Sequence, residues 1–350
     1  MAKDLLLEIG TEELPAGFIP VALAALEALA KRELDAGRLS FKGMRTLGTP
    51  RRLALIVEGL EEKQPDTKVE QKGPHKKAAY DNDGKPTKAL LGFARSRGVD
   101  VGELKTVKTE KGEYLYAIKE VKGERTVKVL PAILEAVVSG LTFPKAMRWG
   151  EHGISFARPV HWILSLYGKT TVPFTFGHIK SGPHTRGHRF LKPKGGGKPI
   201  KVDGVKTYLE GLRKNFVIAD PAERKELIAK GLEKEAKKIK GEILPDEGLL
   251  DEVVNLVEYP VVVKGSFDKE FLDLPAEVVI NAMREHQRYF SVVDGKGEKG
   301  EWKKLLPCFL TVANTKAREL KVVREGNERV LRARLNDAKF YFEKDVKTPL

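Results

Sequence analysis

The sequence predicts an α+β (mixed α/β) fold: several mixed-sheet domains with flanking helices, one small inserted module and a C-terminal connecting helix. Three observations carry this expectation. Short β-favouring runs such as LLLEI, RRLALIV and HWILSLY alternate with stretches of helical periodicity, so neither element type dominates. A polar, Gly- and Lys-rich tract from Glu61 to about Glu124 interrupts the apolar pattern and reads as a module of its own. The last stretch, from Val323, repeats apolar residues at helical spacing.

The elements follow in order. Asp4 to Glu8 is a strand, and EIGTEELPAG is a turn leading to a helix from about Pro20 to Leu34, with Gly37 just past its end. TPRRLALIVEGL, Thr49 to Leu60, reads as one buried strand with Pro50 at its start, where a missing N–H does least harm. Residues 1–60 together with 125–191 are expected to form an N-terminal α/β domain. Residues 61–124 are expected to form the inserted α/β module, in which Thr87 caps a helix carrying Leu90 and Phe93, and Gly112 to Val121 is a hairpin strand. A helix from about Val129 to Leu141 then leads through a loop rich in Arg, Trp and His to a strand over His161 to Tyr167.

KPKGGGKP, residues 192–199, is expected to be a linker. It fails the phosphate-loop pattern GxxxxGK[ST], because Lys192 stands where Gly is needed and Pro199 where Ser or Thr is needed. Residues 200–322 are expected to form a second α+β domain. Its clearest helix start is Asp220 as cap, Pro221 at the first helical position and Glu223 in the first turn. A helix and buried strand follow over Leu249 to Gly265, then a helix and two strands around a Gly/Lys turn. In 323–350, Asn327 is expected to cap a helix whose Leu331, Leu335, Ala338 and Phe342 share a face, with Thr348 before Pro349 ending it. That stripe needs a partner surface. Nothing downstream supplies one, so the chain is expected to be the front portion of a longer protein with this stripe unusually exposed.

Composition narrows the function classes. The chain has 350 residues, 41% of them hydrophobic, enough for two or three packed domains. Its 63 Lys and Arg against 49 Asp and Glu leave a formal charge of +14, which attracts phosphate backbones and acidic partners. The lone Cys308, inside LLPCFLTVA, excludes an internal disulfide framework and a CxxC zinc site. The apolar segment from Val21 to Ala30 is broken by Glu27 and is shorter than the roughly 20 residues a membrane span requires. The N-terminus lacks a secretory pattern, so a cytoplasmic protein with no membrane partner is expected.

His184 and His188 have the i, i+4 spacing of a metal pair on a helix, but TRG lies between them, Gly-Pro precedes them, and Arg186 and Arg189 would repel a cation. No metal is expected. A loop offering Arg and His to an anion fits better. No GxSxG, HExxH or GxGxxG context gives nucleophilic or dinucleotide chemistry a starting point, and no catalytic residue is assigned. Arg51, Arg52, Arg148, Arg158, Arg186, Arg189, Arg284 and Arg288 are the candidate RNA-binding residues. Some stand near Trp149, Tyr289 and Phe290, and guanidinium forks suit phosphates while aromatic faces suit unpaired bases. Each could equally be a buried arginine paired to a carboxylate such as Glu258 or Glu285.

Blocks spread along the whole chain resemble the β subunit of the bacterial heterotetrameric glycyl-tRNA synthetase: LLLEIGTEELP at Leu5, TPRRLAL at Thr49, GKPTKALLGFARSRGV at Gly84, FPKAMRWG at Phe143, RPVHWILSLYG at Arg158, TRGHRFL at Thr185, LVEYPVVVKGSFDKEFLDLP at Leu256, REHQRYF at Arg284, and the closing NERVLRARLNDAKFYFEKD. The resemblance implies a non-catalytic subunit of glycine-tRNA ligase, supporting binding of tRNA(Gly) and docking to the catalytic α subunit in an α2β2 assembly. ATP and Mg2+ would then sit on the α subunit, with no cofactor bound by this chain. It also implies that residues 200–322 resemble parts of the phenylalanyl-tRNA synthetase β chain, and that residues 323–350 lead to an absent HD-type domain. Two other readings stay open: a stand-alone nucleic-acid-binding or hydrolytic module using His184 and His188, and a scaffold whose charge only keeps it soluble.

Overall fold

The structure, a computed structural model, describes residues 2–81, 83–110, 112–149, 151, 153–193, 198–294, 304–316 and 320–347. It contains helices together with antiparallel and mixed sheets, the expected α+β class. The chain divides into two compact units. One comprises residues 34–40 and 61–130, and the other residues 2–33, 41–60 and 131–350.

The smaller unit is built on a three-stranded antiparallel sheet in which Gly112–Val121 lies between Thr67–His75 and Lys105–Thr109. The helix Lys88–Arg97 contributes Leu90 to a small core with Ala79 and Leu115. Gly98 ends that helix at φ 64°, the left-handed conformation that glycine adopts without a Cβ penalty. Thr87 does occupy the N-cap position, but its hydroxyl donates to the carbonyls of Ala78 and Ala79 instead of accepting from the first turn.

In the larger unit the principal sheet runs, edge to edge, Thr175–Phe176, Ile179–Gly182, Val160–Tyr167, Lys3–Thr11, Arg52–Leu60 and Gly43–Thr49, with Thr170–Thr171 also pairing Val160–Tyr167. One pair is parallel, Ile179–Gly182 against Val160–Tyr167, and the rest are antiparallel. The strand expected over Thr49 to Leu60 is in fact the second arm of a hairpin. Thr49 pairs Arg52 across a turn formed by Pro50 and Arg51, and the first arm, Gly43–Thr49, was not expected. Its mixed sequence GMRTLGT carries no clean alternation, so only the pairing partner makes it a strand.

Leu6, Ala54, Ile56, Leu164 and Leu166 of this sheet pack against Tyr208 and Leu212 of the helix Val205–Lys214. Residues 202–219, placed by sequence with the second domain, therefore belong to the core of the first sheet. Of the expected linker 192–199, residues 194–197 lie outside the described residues.

The second sheet of this unit is antiparallel throughout, in the order Gly241–Ile243, Phe290–Asp294, Leu305–Ala313, Val261–Ser266. Phe290, Val292 and Leu310 meet Ile228 and Leu232 of the helix Pro221–Lys238 and Leu249 and Val253 of the helix Glu247–Val254. Val293, Leu305 and Phe309 belong to a different cluster, with Val279 and Met283 of the helix Ala276–Gln287. The period of two along a strand separates these sets onto opposite faces. Asp220 caps as expected, its carboxylate accepting from the N–H of Ala222 at 2.9 Å.

The final helix, Leu320–Lys347, differs from expectation in two respects. Asn327 lies inside it and not at its cap: its amide donates to the Val323 carbonyl and its oxygen accepts from the Tyr289 hydroxyl at 2.7 Å. Leu331 and Leu335 are fully buried in the cluster with Phe271 and Phe309, and Phe342 packs at its margin. Half of the stripe expected to be exposed, Leu331 and Leu335, is closed by upstream residues of the same unit, while Ala338 and Phe342 remain half-buried. Thr348 and Pro349 lie outside the described residues.

Candidate nucleic-acid interface

At one end of the first sheet an acidic residue sits where apolar ones are expected. Glu8, in the middle of LLLEIG, is fully buried, and its carboxylate collects the indole N–H of Trp162, the hydroxyls of Tyr208 and Thr185, and a guanidinium N–H of Arg52 at 3.4 Å. Burial, followed by the charge of Glu8, pushes the Tyr208 hydroxyl well above its ordinary pKa, so it remains a donor. Arg52 is equally buried. It also donates through Nε and Nη2 to Glu258, at 3.2 and 3.1 Å, and to the Arg186 carbonyl at 3.0 Å. Burial opposes its charge, but Glu258 and Glu8 outweigh that and hold the guanidinium more firmly protonated than usual.

Beside this network Arg224 is buried among carbonyls alone, those of Ile218, Ala219, Val254 and Gly48 at 2.6 to 3.1 Å. Burial lowers its pKa to about 10, so it stays charged at neutral pH. It is a clamp that ties the hairpin turn of the first sheet to the helices flanking the second.

Burial alone would raise the Glu258 carboxyl, but Arg52 and a 2.7 Å hydrogen bond from Thr49 outweigh it and leave the pKa below the ordinary 4.5. A depressed folded-state pKa contributes stability that is complete above the ordinary value and is lost as pH falls through the folded value. Glu258→Gln is therefore expected to flatten the fall in urea midpoint as pH drops below the ordinary carboxyl value, where the wild type progressively loses this contribution. Parallel acid limbs for the two proteins would contradict the assignment.

The candidate arginines separate into three groups. Arg51, Arg52, Arg158, Arg186 and Arg189 gather at this end of the first sheet. Arg189 pairs with Glu12 and Glu13 at 2.8 to 2.9 Å, and Arg158 donates to the Glu13 carbonyl at 3.3 Å. Arg51, Arg52 and Arg186 stand 5.8, 5.8 and 5.5 Å from the centroid of the Trp162 ring. Arg284 and Arg288 form a second group around Asp246, Glu285 and Glu252, each a little over a third exposed. Arg148 stands alone, exposed on the short hairpin that pairs Met147–Arg148 with Ser155–Phe156.

Arg52 has to be withdrawn as a direct contact, because no phosphate can reach a guanidinium with no exposed surface. Burial lowers the Arg51 pKa, and that residue keeps only a sliver of surface.

His184 and His188 are not a pair. His188 is buried, with Nδ1 accepting from the N–H groups of Phe190 and Leu191 and Nε2 meeting the Asn314 side-chain oxygen at 3.1 Å. Both nitrogens are occupied by protein groups, which removes it from a metal or hydrolytic role. Among the described residues no group of three His, Cys, Asp or Glu is placed to hold a metal ion.

Sequence reasoning missed Glu8, Tyr208 and Asn314, and treated Glu12 and Glu13 as turn residues. Glu8 left a signal: a carboxylate inside an apolar strand run must find partners or remain neutral. Tyr208 and Asn314 left none, since their roles depend on neighbours about 200 and 56 residues away.

A cavity of about 320 Å³ elsewhere in the same unit has the apolar walls Leu232, Ala236, Leu250 and Phe290. Glu233, Glu242, Asp246 and Glu247 also line it, the wrong sign for a phosphate. No described helix is long and apolar enough to cross a membrane.

The glycyl-tRNA synthetase beta subunit family matches residues 5–350. Proteins named glycine–tRNA ligase beta subunit from Geobacter sp. (strain M21) and Citrifermentans bemidjiense are each 51% identical over 350 residues, covering 100% of this chain and 50% of the relative. That from Geobacter metallireducens is 51% identical over 348 residues, 99% of this chain and 49% of its own. The chain thus spans about half the length of the curated relatives it matches. With half of its residues identical to theirs and the family match running almost end to end, the chain belongs to the glycyl-tRNA synthetase beta subunit family.

Proposed function

We propose that this chain supports glycylation of tRNA(Gly) as a non-catalytic part of glycine–tRNA ligase, holding the tRNA and docking to a separate catalytic α subunit in an α2β2 assembly in the cytoplasm. The carrying observation is the 51% identity over every residue of the chain to proteins named glycine–tRNA ligase beta subunit. The formal charge of +14 and the exposed Arg148 and Arg186 support the tRNA part. The reaction joins glycine to tRNA at the expense of ATP. In this reading ATP and Mg2+ belong to the α subunit, and this chain's contribution is to position the terminal hydroxyl of the tRNA against the adenylate.

Two measurements test it. Mixed with the purified α subunit, the chain is expected to elute as one larger species in gel filtration, and independent elution at micromolar concentration would remove the docking role. Affinity for tRNA(Gly) is expected to fall steeply with salt, with a log-log slope of about 0.9 for each duplex phosphate neutralised. A flat response would remove the phosphate-backbone role.

A further inference from the structure

Three guanidinium groups surround the indole of Trp162, and they differ in what neutralises them. The ring lies directly on the backbone of Gly10, where a Cβ would stand 1.9 Å from Cε2, and its N–H is committed to Glu8. Its position is therefore set from below. Arg52 is neutralised by Glu258 and Glu8. Arg51 is 9% exposed, its Nε has no hydrogen-bond partner, and the nearest Glu13 oxygen is 3.7 Å away, beyond hydrogen-bond reach. Arg186 is exposed, and no carboxylate among the described residues pairs with it.

Against Arg186 opens a cavity of about 210 Å³ lined by Trp162, His184, Thr185, Arg186 and Pro199. The Thr185 hydroxyl is turned away to Glu8. What remains for a ligand is the exposed part of the imidazole and pyrrolidine rings with the edge of the largely buried indole, beside the guanidinium fork of the one lining arginine, with which no carboxylate among the described residues pairs. Flat walls suit a planar ring, and the fork suits two oxygens of a phosphate. A bare anion would use the fork and leave the walls wet.

We propose that this cavity holds a single nucleotide, with its phosphate on Arg186 and its base against Trp162 and His184. The source is either one residue of a single-stranded RNA or a free nucleotide. The inference deepens the RNA-binding reading above and rests on it only for the first source. Arg51, its guanidinium 5.8 Å from the centroid of the same indole, adds positive potential without touching the ligand.

The chain has three tryptophans, so Trp149→Phe with Trp302→Phe leaves Trp162 as the only reporter. In that background AMP or a five-nucleotide single-stranded RNA is expected to quench the emission. Arg186→Ala should weaken the effect about tenfold, as expected for one lost charge-assisted contact. Arg186→Lys, which keeps the charge and loses the fork, should fall between the two. Quenching by the RNA alone assigns the cavity to a strand residue, and quenching by AMP as well assigns it to the nucleotide unit itself.

Three results would each overturn the proposal: emission that neither probe changes, quenching that Arg186→Ala leaves unaltered, or equal quenching by inorganic phosphate at the same concentration. tRNA(Gly) binding measured in parallel separates the two levels. Affinity retained with a silent Trp162 overturns the cavity alone, whereas AMP quenching without tRNA affinity overturns the tRNA reading alone.

Discussion

Arg52→Ala is expected to cost about 3 to 5 kcal/mol of folding stability, the largest effect of any single arginine replacement in the chain. The guanidinium is fully buried and neutralises Glu258 and, more distantly, Glu8, while also donating to Thr49, Thr185 and the Arg186 carbonyl. Its removal leaves two buried carboxylates without their cation. The loss exceeds that of a surface ion pair because those carboxylates cannot regain water where they sit.

Urea unfolding of the wild type and variant measures it, and a loss under about 1 kcal/mol would show that the network contributes little. The double variant Arg52→Met with Glu258→Gln is expected to lose less than the sum of the single variants, since removing both charges leaves fewer unpaired ions. The network joins residues 8, 52, 185 and 258, so the destabilisation should also weaken the seating of Trp162 that the nucleotide proposal requires.

Leu335→Ala is expected to cost about 2 to 5 kcal/mol. The side chain is fully buried in a cluster that includes Phe271, Met283 and Phe309, so truncation leaves a cavity among groups drawn from separate helices and a strand. Val330→Ala, on the exposed side of the same helix at 44% exposure, should stay within about 0.5 kcal/mol of wild type. Comparing the two midpoints isolates burial from helix propensity, because both positions lie well inside the helix Leu320–Lys347. Equal small losses would mean that the final helix is not docked as described.

Much of the fold was legible because it depends on local chemistry. Pro221 at a first helical position and Asp220 before it set a helix start whatever the surroundings. The alternating and apolar strand runs were found for the same reason. The hairpin at Pro50 and Arg51 was read as one strand, because GMRTLGT becomes a strand only by pairing with Arg52–Leu60. The final helix was recognised by its periodicity, yet its stripe was expected to be exposed. Its partners, Phe271 to Phe309, lie upstream on elements whose meeting no local pattern announces.

The candidate site divides along the same line. Residue type alone picked out the arginines, since a planar fork suits phosphate wherever it stands. Exposure sorted them, and exposure is a tertiary property. Arg51 and Arg52 are adjacent in sequence, yet one keeps a sliver of surface with an Nε that makes no hydrogen bond and the other is sealed between two carboxylates.

By itself the sequence determined the α+β class, the principal helices and strands, the positive charge and the family resemblance, all of which reside in residue identity and short-range spacing. The tertiary structure alone decided that Glu8 and Glu258 neutralise Arg52, that Leu331 and Leu335 are buried, and that Arg186 faces an open cavity beside Trp162. Each of those outcomes depends on contacts between residues far apart in the chain, where burial and pairing set the energy of a charge and a one-dimensional pattern carries no record of either.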